Sequence, residues 1–264
     1  MTFKTKVENV KQFRFINKGN HIVLEVLYEV EEKELLPDNN RYASIDLGID
    51  NLCSVSSNCC NSFIINGKPV KSINQYYNKK KAKLQRRIKK CQNRNKSKRL
   101  NKLTEKRNRK IKDYFHKTSR YIVNQLVSNQ INTLIIGYNK GWKQEVNIGK
   151  RNNQKFVGIP FNTLLEMLHY KCNLVGISMI ITEESYTSKC SFVDNEKIKK
   201  KENYLGKRTK RGLYKSKDGR LINADINGSY NIMRKGLIKA SLDDKVTYPE
   251  CRGFVYNPDK FNLR

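Results

Sequence analysis

Three carboxylates in this chain sit in scattered strand and helix contexts: Asp46 in S-I-D-L-G-I-D (44–50), Glu184 in E-E-S-Y-T-S-K (183–189), unless that Glu-Glu pair is a solvated turn, and Asp225 in I-N-A-D-I-N-G-S-Y-N (222–231). Hydrolysing a phosphodiester requires an activated water and neutralised charge on the attacking and leaving oxygens, which two divalent ions about 3.5–4 Å apart provide. Mg²⁺ or Mn²⁺ would take oxygen ligands and retain waters, so a few carboxylates arriving from different elements suffice. Asp46 lies within an apolar run, where its charge needs either a metal or a basic partner unless it faces solvent from an edge strand. Gly48 beside it permits close approach of a ligand, or marks a bulge. Asp50 is a second carboxylate nearby; if the strand continued, it would face the same side as Asp46, nearer to solvent.

Composition narrows the substrate. Lys and Arg number 54 against 24 Asp and Glu, a formal net charge of +30 on 264 residues. Such a chain repels itself unless a polyanion is present. Mean hydropathy is −0.74, and no apolar run approaches the roughly 20 residues that span a bilayer. Nucleic acid, not a membrane, is therefore the expected partner. The start, M-T-F-K-T-K-V-E-N-V, lacks the apolar core of a secretory peptide, and a cytoplasmic location is expected. Seven cysteines, with no C-x-x-C spacing, suggest neither a disulfide framework nor a zinc clip.

The elements that must position the acids follow from periodicity. Residues 11–16 and 21–30 read as two strands around N-K-G-N, and Pro37 with its polar neighbours breaks the chain near residue 40. From Tyr42, three strands read as an antiparallel meander whose last member is S-F-I-I-N-G-K-P-V, with a turn at Asn66-Gly67. Residues 75–130 read as a helical pair: Leu84, Ile88 and Cys91, then Ile111, Phe115, Thr118, Ile122 and Leu126, recur at helical spacing. Strands are expected at 133–137 and 177–182, and helices at 161–172 and after Asp225, with Ile226, Tyr230 and Met233 inward. This order is that of an α/β, RNase H-like fold. The domain reading is an N-terminal β segment at 1–40, a nuclease-type domain at 41–240 and a tail at 241–264.

Several motifs together give the chain a family resemblance: D-L-G-I-D-N-L, H-K-T-S-R-Y-I-V, residues 141–161, E-E-S-Y-T-S-K and I-N-A-D-I-N-G-S-Y-N-I-M-R-K. The chain resembles the TnpB (OrfB) proteins of bacterial insertion sequences, which are related to type V CRISPR effectors and Fanzor proteins. The resemblance implies a RuvC nuclease domain with a nucleic-acid-binding insertion, a transposon-derived guide RNA and a double-stranded DNA target. It further implies that Asp46 and Asp225 are the first and last catalytic acids. In most members a glutamate ends the strand where this chain has Gly137. Either the site is broken or a glutamate just beyond residue 182 reaches the vacated position, Glu184 before Glu183, with Mg²⁺ held by Asp46, Glu184 and Asp225.

The insertion, residues 186–222, departs from the family's paired C-x-x-C knuckles, since it offers only Cys190. No zinc is expected there. Its reading is a degenerate zinc-ribbon-like hairpin held by Phe192, Tyr204, Leu205 and Tyr214, presenting Lys207, Arg208, Lys210 and Arg211 to phosphate. The stretch 79–112 contains 18 Lys or Arg and a single acid, Glu105. With almost nothing to pair with, Arg86, Arg87, Lys89, Lys90, Arg94 and Arg99 are expected to contact guide RNA or its duplex with DNA. Tyr76, Tyr77 and Trp142 are candidates for stacking on bases or for packing, and His116 for packing between helices. Two alternatives to a nuclease remain: an RNA-guided binder disabled at Gly137, and a truncated remnant.

Overall fold

The computed structural model describes residues 4–18, 21–31, 33–92, 97–139, 150–242 and 258–263. Arg94 and Trp142 lie outside the described residues. The strands β1 (Val10–Asn17) and β2 (Ile22–Tyr28) form an antiparallel hairpin of their own. Next come β3 (Tyr42–Leu47), β4 (Asn51–Ser57) and β5 (Phe63–Asn66), then the helices α1 (Lys68–Gln92) and α2 (Lys98–Ser128). After them run β6 (Thr133–Gly137), α3 (Lys150–Val157), α4 (Phe161–Asn173), β7 (Ser178–Thr182), three short strands β8 (Lys207–Lys210), β9 (Leu213–Lys215) and β10 (Leu221–Asn223), α5 (Ala224–Lys239) and β11 (Asp259–Phe261).

The result is a mixed α/β fold around a six-stranded sheet of order β11-β5-β4-β3-β6-β7. The β3–β4–β5 meander is antiparallel, while β6 joins β3 in parallel and β7 joins β6 in parallel. Parallel strands end at the same edge of a sheet, so the carboxyl ends of β3, β6 and β7 lie together.

Alternation along β3 assigns its two faces. Ala43, Ile45 and Leu47 join the core under α2 and α4, with Phe115, Ile122, Leu126, Leu164 and Leu168. Tyr42 faces the second core under α5, with Ile226, Tyr230, Ile232 and Met233. On that same face Ser44 is fully buried and is matched by Ser229 of α5, its hydroxyl donating to the Ser229 carbonyl at 2.7 Å. Asp46, two residues further on, points the same way.

The helix spacing of Ile111, Thr118 and Leu126 is matched by buried positions along α2, and Ser97 caps that helix by accepting from Leu100 N–H at 3.2 Å. The start of α1 differs from the sequence reading. Gly67-Lys-Pro-Val does not extend the third strand: the strand stops at Asn66 and the helix begins at Lys68, with Pro69 in its first turn, where its missing N–H has no helical partner anyway. Farther along α1, Leu84 and Ile88 are only half-buried, so the apolar face there is thin. His116 lies on the packed side of α2, where its carbonyl accepts from Lys171 Nζ of α4 at 2.9 Å.

Candidate functional site

The three sequence-selected acids line one cleft of about 580 Å³, together with Asp50, Asn51, Ser54, Lys71, Ser188, Arg208 and Arg211. Asp46 forms its floor from the carboxyl end of β3. Burial, then the charges of Glu184 and Asp225, push its carboxyl well above the usual carboxylate range, against a lesser pull from Arg208. Gly228 of α5 explains how the helix comes this close, since a Cβ there would meet Asp46 Oδ2 at 2.9 Å.

Asp225 enters from the first turn of α5, where the helix dipole favours an anion. Asn223 caps that turn, its side-chain oxygen accepting from Asp225 N–H at 3.0 Å and Ile226 N–H at 3.3 Å. Both Asp225 oxygens have donors: Arg208 Nη2 at 3.1 Å and Asn51 Nδ2 at 2.7 Å.

Glu184 arrives from the loop after β7. Its backbone N–H donates to Asn139 Oδ1 at 3.0 Å, and Thr187 Oγ1 donates to its carbonyl at 2.8 Å. The loop is tied to α5: Asn231 Nδ2 donates to the carbonyls of Thr187 and Cys190, and Asn227 accepts from Phe192 N–H. The Glu184 side chain lies over Gly137, where an ideal Cβ would fall 2.7 Å from Glu184 Cγ and 2.5 Å from Ile232 Cδ1. Its Oε1 is buried with no hydrogen-bond partner among the described residues, and burial pushes the carboxyl up to about 7. Glu183 points elsewhere, outside the cleft lining, toward Ser185 and Lys235.

The acids share a cleft without closing to ligand distance: among the described residues, no three His, Cys, Asp or Glu side chains stand near enough to hold one ion. Asp50 also differs from its expected placement. The strand ends at Leu47, and Asp50 sits in the following turn, paired with Lys71 Nζ at 2.6 Å and with the Arg211 guanidinium.

The insertion is a three-stranded antiparallel sheet, β10-β9-β8, and not a simple hairpin. Phe192 stacks on Tyr230 with ring centroids 4.4 Å apart, and buried Tyr214 donates to the Lys189 carbonyl at 2.8 Å. Leu205, expected to hold the hairpin, is 43% exposed. A carboxylate organises the interior instead: Glu196, only 2% exposed, accepts from Ser191 N–H at 2.8 Å, Leu205 N–H at 3.2 Å and Lys201 Nζ at 2.8 Å. Sequence reading missed Glu196, Asn51 and Lys71, because nothing in their local spacing marks them. All four expected phosphate contacts are exposed, and Arg208 and Arg211 in addition pair with acids of the cleft.

Between α1 and α2 runs a second groove lined by Tyr76, Lys80, Lys83, Leu84, Arg87, Arg99, Lys102, Leu103 and Lys106, with no acid among them. Arg86, Lys89 and Lys90 are exposed on the same helix. Tyr76 is 60% exposed beneath Lys80, while Tyr77 packs between helices on Thr104 and Arg107. Among the described residues, no helix is long and apolar enough to cross a membrane.

Residues 25–143 match the OrfB_IS605 family, described as a probable transposase, and residues 161–232 match a Cas12f1-like TNB domain. The first match contains Asp46, and the second contains Glu184 and Asp225. No curated protein matches the chain. Among solved structures, a cryo-EM Cas12f1–sgRNA–target DNA complex is similar with a TM-score of 0.55 and 21% identity over 84% of this chain and 54% of that one. A CRISPR–Cas12f ternary complex is similar with a TM-score of 0.56 and 17% identity over 83% and 44%. The chain thus spans about half the length of the solved chains it matches. The chain is thus similar to the OrfB_IS605 probable transposases over residues 25–143 and to the Cas12f1-like TNB domain over residues 161–232, and its fold resembles that of the Cas12f chains.

Proposed function

We propose that this chain is the RuvC-like, RNase H-like nuclease portion of an RNA-guided DNA endonuclease of the TnpB type. Its partners are a transposon-derived guide RNA and a double-stranded DNA target. The observation that carries the reading is Glu184 filling the volume above Gly137, with a buried, unpartnered oxygen beside Asp46. A buried carboxylate oxygen without a donor is expensive, and a cation is the economical remedy. The cleft's donors are hard oxygens, which fits Mg²⁺ or Mn²⁺ held by Asp46, Glu184 and Asp225.

When bound, such ions supply Lewis acidity toward phosphate oxygen and an acidified water. The chain's own residues do the rest. Asp46 and Glu184, whose protons a bound cation would displace, would supply ligand oxygens at the cleft floor, and Asn51 orients Asp225. Arg208, half-exposed at the rim, is able to exchange its carboxylate partner for a phosphate. The α1–α2 groove and exposed Lys207 and Lys210 supply phosphate contacts that hold strands across the cleft. Within this reading, residues 1–40 form an N-terminal β segment and 41–240 the nuclease domain, which includes the helical pair and the insertion at 186–222. Of the expected tail at 241–264, Asp259–Phe261 instead belong to the central sheet, as β11 beside β5.

A second reading, an RNA-guided DNA binder without cleavage, is favoured by one observation. Arg208 and Asn51 each already occupy one oxygen of Asp225, in a cleft where, among the described residues, the acids do not stand at ligand distance. One experiment separates the two. Protein supplied with its RNA and Mg²⁺ is expected to cut matching DNA, and Asp46→Ala or Asp225→Ala should each abolish cutting while leaving RNA binding intact. Target binding without cutting by the unaltered protein would establish the second reading.

A further inference from the structure

Beyond the three acids, the cleft contains a fourth carboxylate with a different job. We propose that Asp50 is a positioning residue that clamps the insertion's β8–β9 turn over the cleft and thereby delivers Arg208 to Asp225; its catalytic consequence rests on the reading of the cleft as the cleavage site.

The geometry runs through two elements distant in sequence. Asp50 Oδ1 takes Lys71 Nζ of α1 at 2.6 Å, and both side chains are largely shielded from water. Its other oxygen, Oδ2, faces the Arg211 guanidinium at the tip of the insertion. The Asp50 backbone is fixed as well, its carbonyl accepting from Gly67 N–H at 2.9 Å. Lys71 therefore anchors the carboxylate on the sheet side, leaving one oxygen to hold the insertion.

The turn is shaped for this contact. A register shift in the β8–β9 ladder, between Arg208 and Lys210, leaves Thr209 without a partner across the strands. An extra residue of this kind re-aims the side chains that flank it. Gly212 follows with φ +79°, a conformation that favours glycine, and its carbonyl accepts from Ala224 N–H at 3.0 Å, one residue before Asp225. Arg208 and Arg211 consequently both point into the cleft, each onto a different acid.

The clamp is weak by construction. The Arg211 side chain is 84% exposed, so the pair is screened by salt and open to competition from phosphate. A weak clamp suits an element that must shift when a nucleic acid enters the cleft.

The test is amide hydrogen exchange across residues 207–215 in the protein without nucleic acid, at low salt. Asp50→Asn and Arg211→Gln should each lower protection of the turn by up to about 5-fold, and the double variant should lose no more than either single one. Raising salt should erase the same protection in the unaltered protein. With guide RNA and saturating target, Asp50→Asn should lower the maximal cleavage rate several-fold, and leave guide affinity unchanged. Unaltered protection in Asp50→Asn, or fully additive losses in the double variant, would overturn the clamp. If the unaltered protein does not cut DNA, the nuclease reading fails, and the exchange measurements still decide whether the clamp exists.

Discussion

Gly137 and Glu184 occupy one volume: the space above the glycine is filled by the Glu184 side chain. The register explains how. Gly137 pairs with Thr182 across the parallel β6–β7 ladder, so an acid two residues past the end of β7 folds back over the end of β6.

That relationship predicts a transferable acid. Glu184→Gln should reduce cleavage by ~100-fold or more, while Glu183→Gln, whose side chain lies outside the cleft, should have a mild effect. Gly137→Glu alone should destabilise the fold by about 1–3 kcal/mol, because Ile232 and Glu184 already fill the site. Combined with Glu184→Ala it should recover measurable cutting. Plasmid cleavage and chemical denaturation measure both effects, and wild-type cleavage by Glu184→Gln would show that the reaction does not run through this residue.

Asp46 should trade stability for function. Its charge is disfavoured by burial and by Glu184 and Asp225, so Asp46→Asn should stabilise the metal-free protein by about 1–2 kcal/mol. The same change should remove the rise in melting temperature that Mg²⁺ gives the unaltered protein. Thermal unfolding with and without Mg²⁺ tests this without any cleavage assay. An equal Mg²⁺ shift in both proteins counts against Asp46 as a ligand.

Glu196 should be the residue on which the insertion depends. Glu196→Ala leaves Lys201 and two backbone N–H groups without their acceptor, at a cost of about 3–5 kcal/mol, and exchange protection should fall across 186–222. Cys190→Ser should be tolerated, and metal analysis should find no stoichiometric zinc. One tightly held zinc per chain would mean that the insertion is organised by a metal after all.

In the α1–α2 groove, replacing Lys83, Arg87, Arg99 and Lys102 with Gln should weaken RNA binding for all sequences. If all four touch phosphate, the slope of log K against log salt should flatten by about 3. All four side chains are exposed, so thermal stability should barely move. An unchanged slope would place the RNA elsewhere.

Lys171 provides a pH test of the packing between α2 and α4. It is 2% exposed and donates to Ser119 Oγ at 2.6 Å, and burial, with Arg120 nearby, lowers its ammonium to about 8. Below pH 8 the folded protein bears the cost of a buried charge. Above about 10.4 neither the folded nor the unfolded chain is charged at this position, and the cost is gone. The stability of the unaltered protein relative to Lys171→Met should therefore rise between pH 8 and 10.4, by up to about 3 kcal/mol. Denaturant melts across that range measure it, and a constant difference would show that Lys171 is already solvated in the folded state.

What the sequence by itself determined was local. The spacing of Ile111, Phe115, Thr118, Ile122 and Leu126 specifies a buried helix face, and the apolar runs at 133–137 and 177–182 specify strands, because 3.6-residue and 2-residue periods are properties of neighbouring residues. The acids Asp46 and Asp225 stood out for the same reason, as charges inside patterned elements. The sequence reading ranked Glu184 before Glu183, but local pattern does not separate adjacent glutamates, and it is Asn139, Asn227 and Asn231 that fix the loop that carries them. The Glu196 centre, the pairing of Arg208 and Arg211 with acids, and the seating of β11 beside β5 were equally hidden. Each joins residues far apart in the chain, and only the closed tertiary structure brings those charges within a few ångströms of each other.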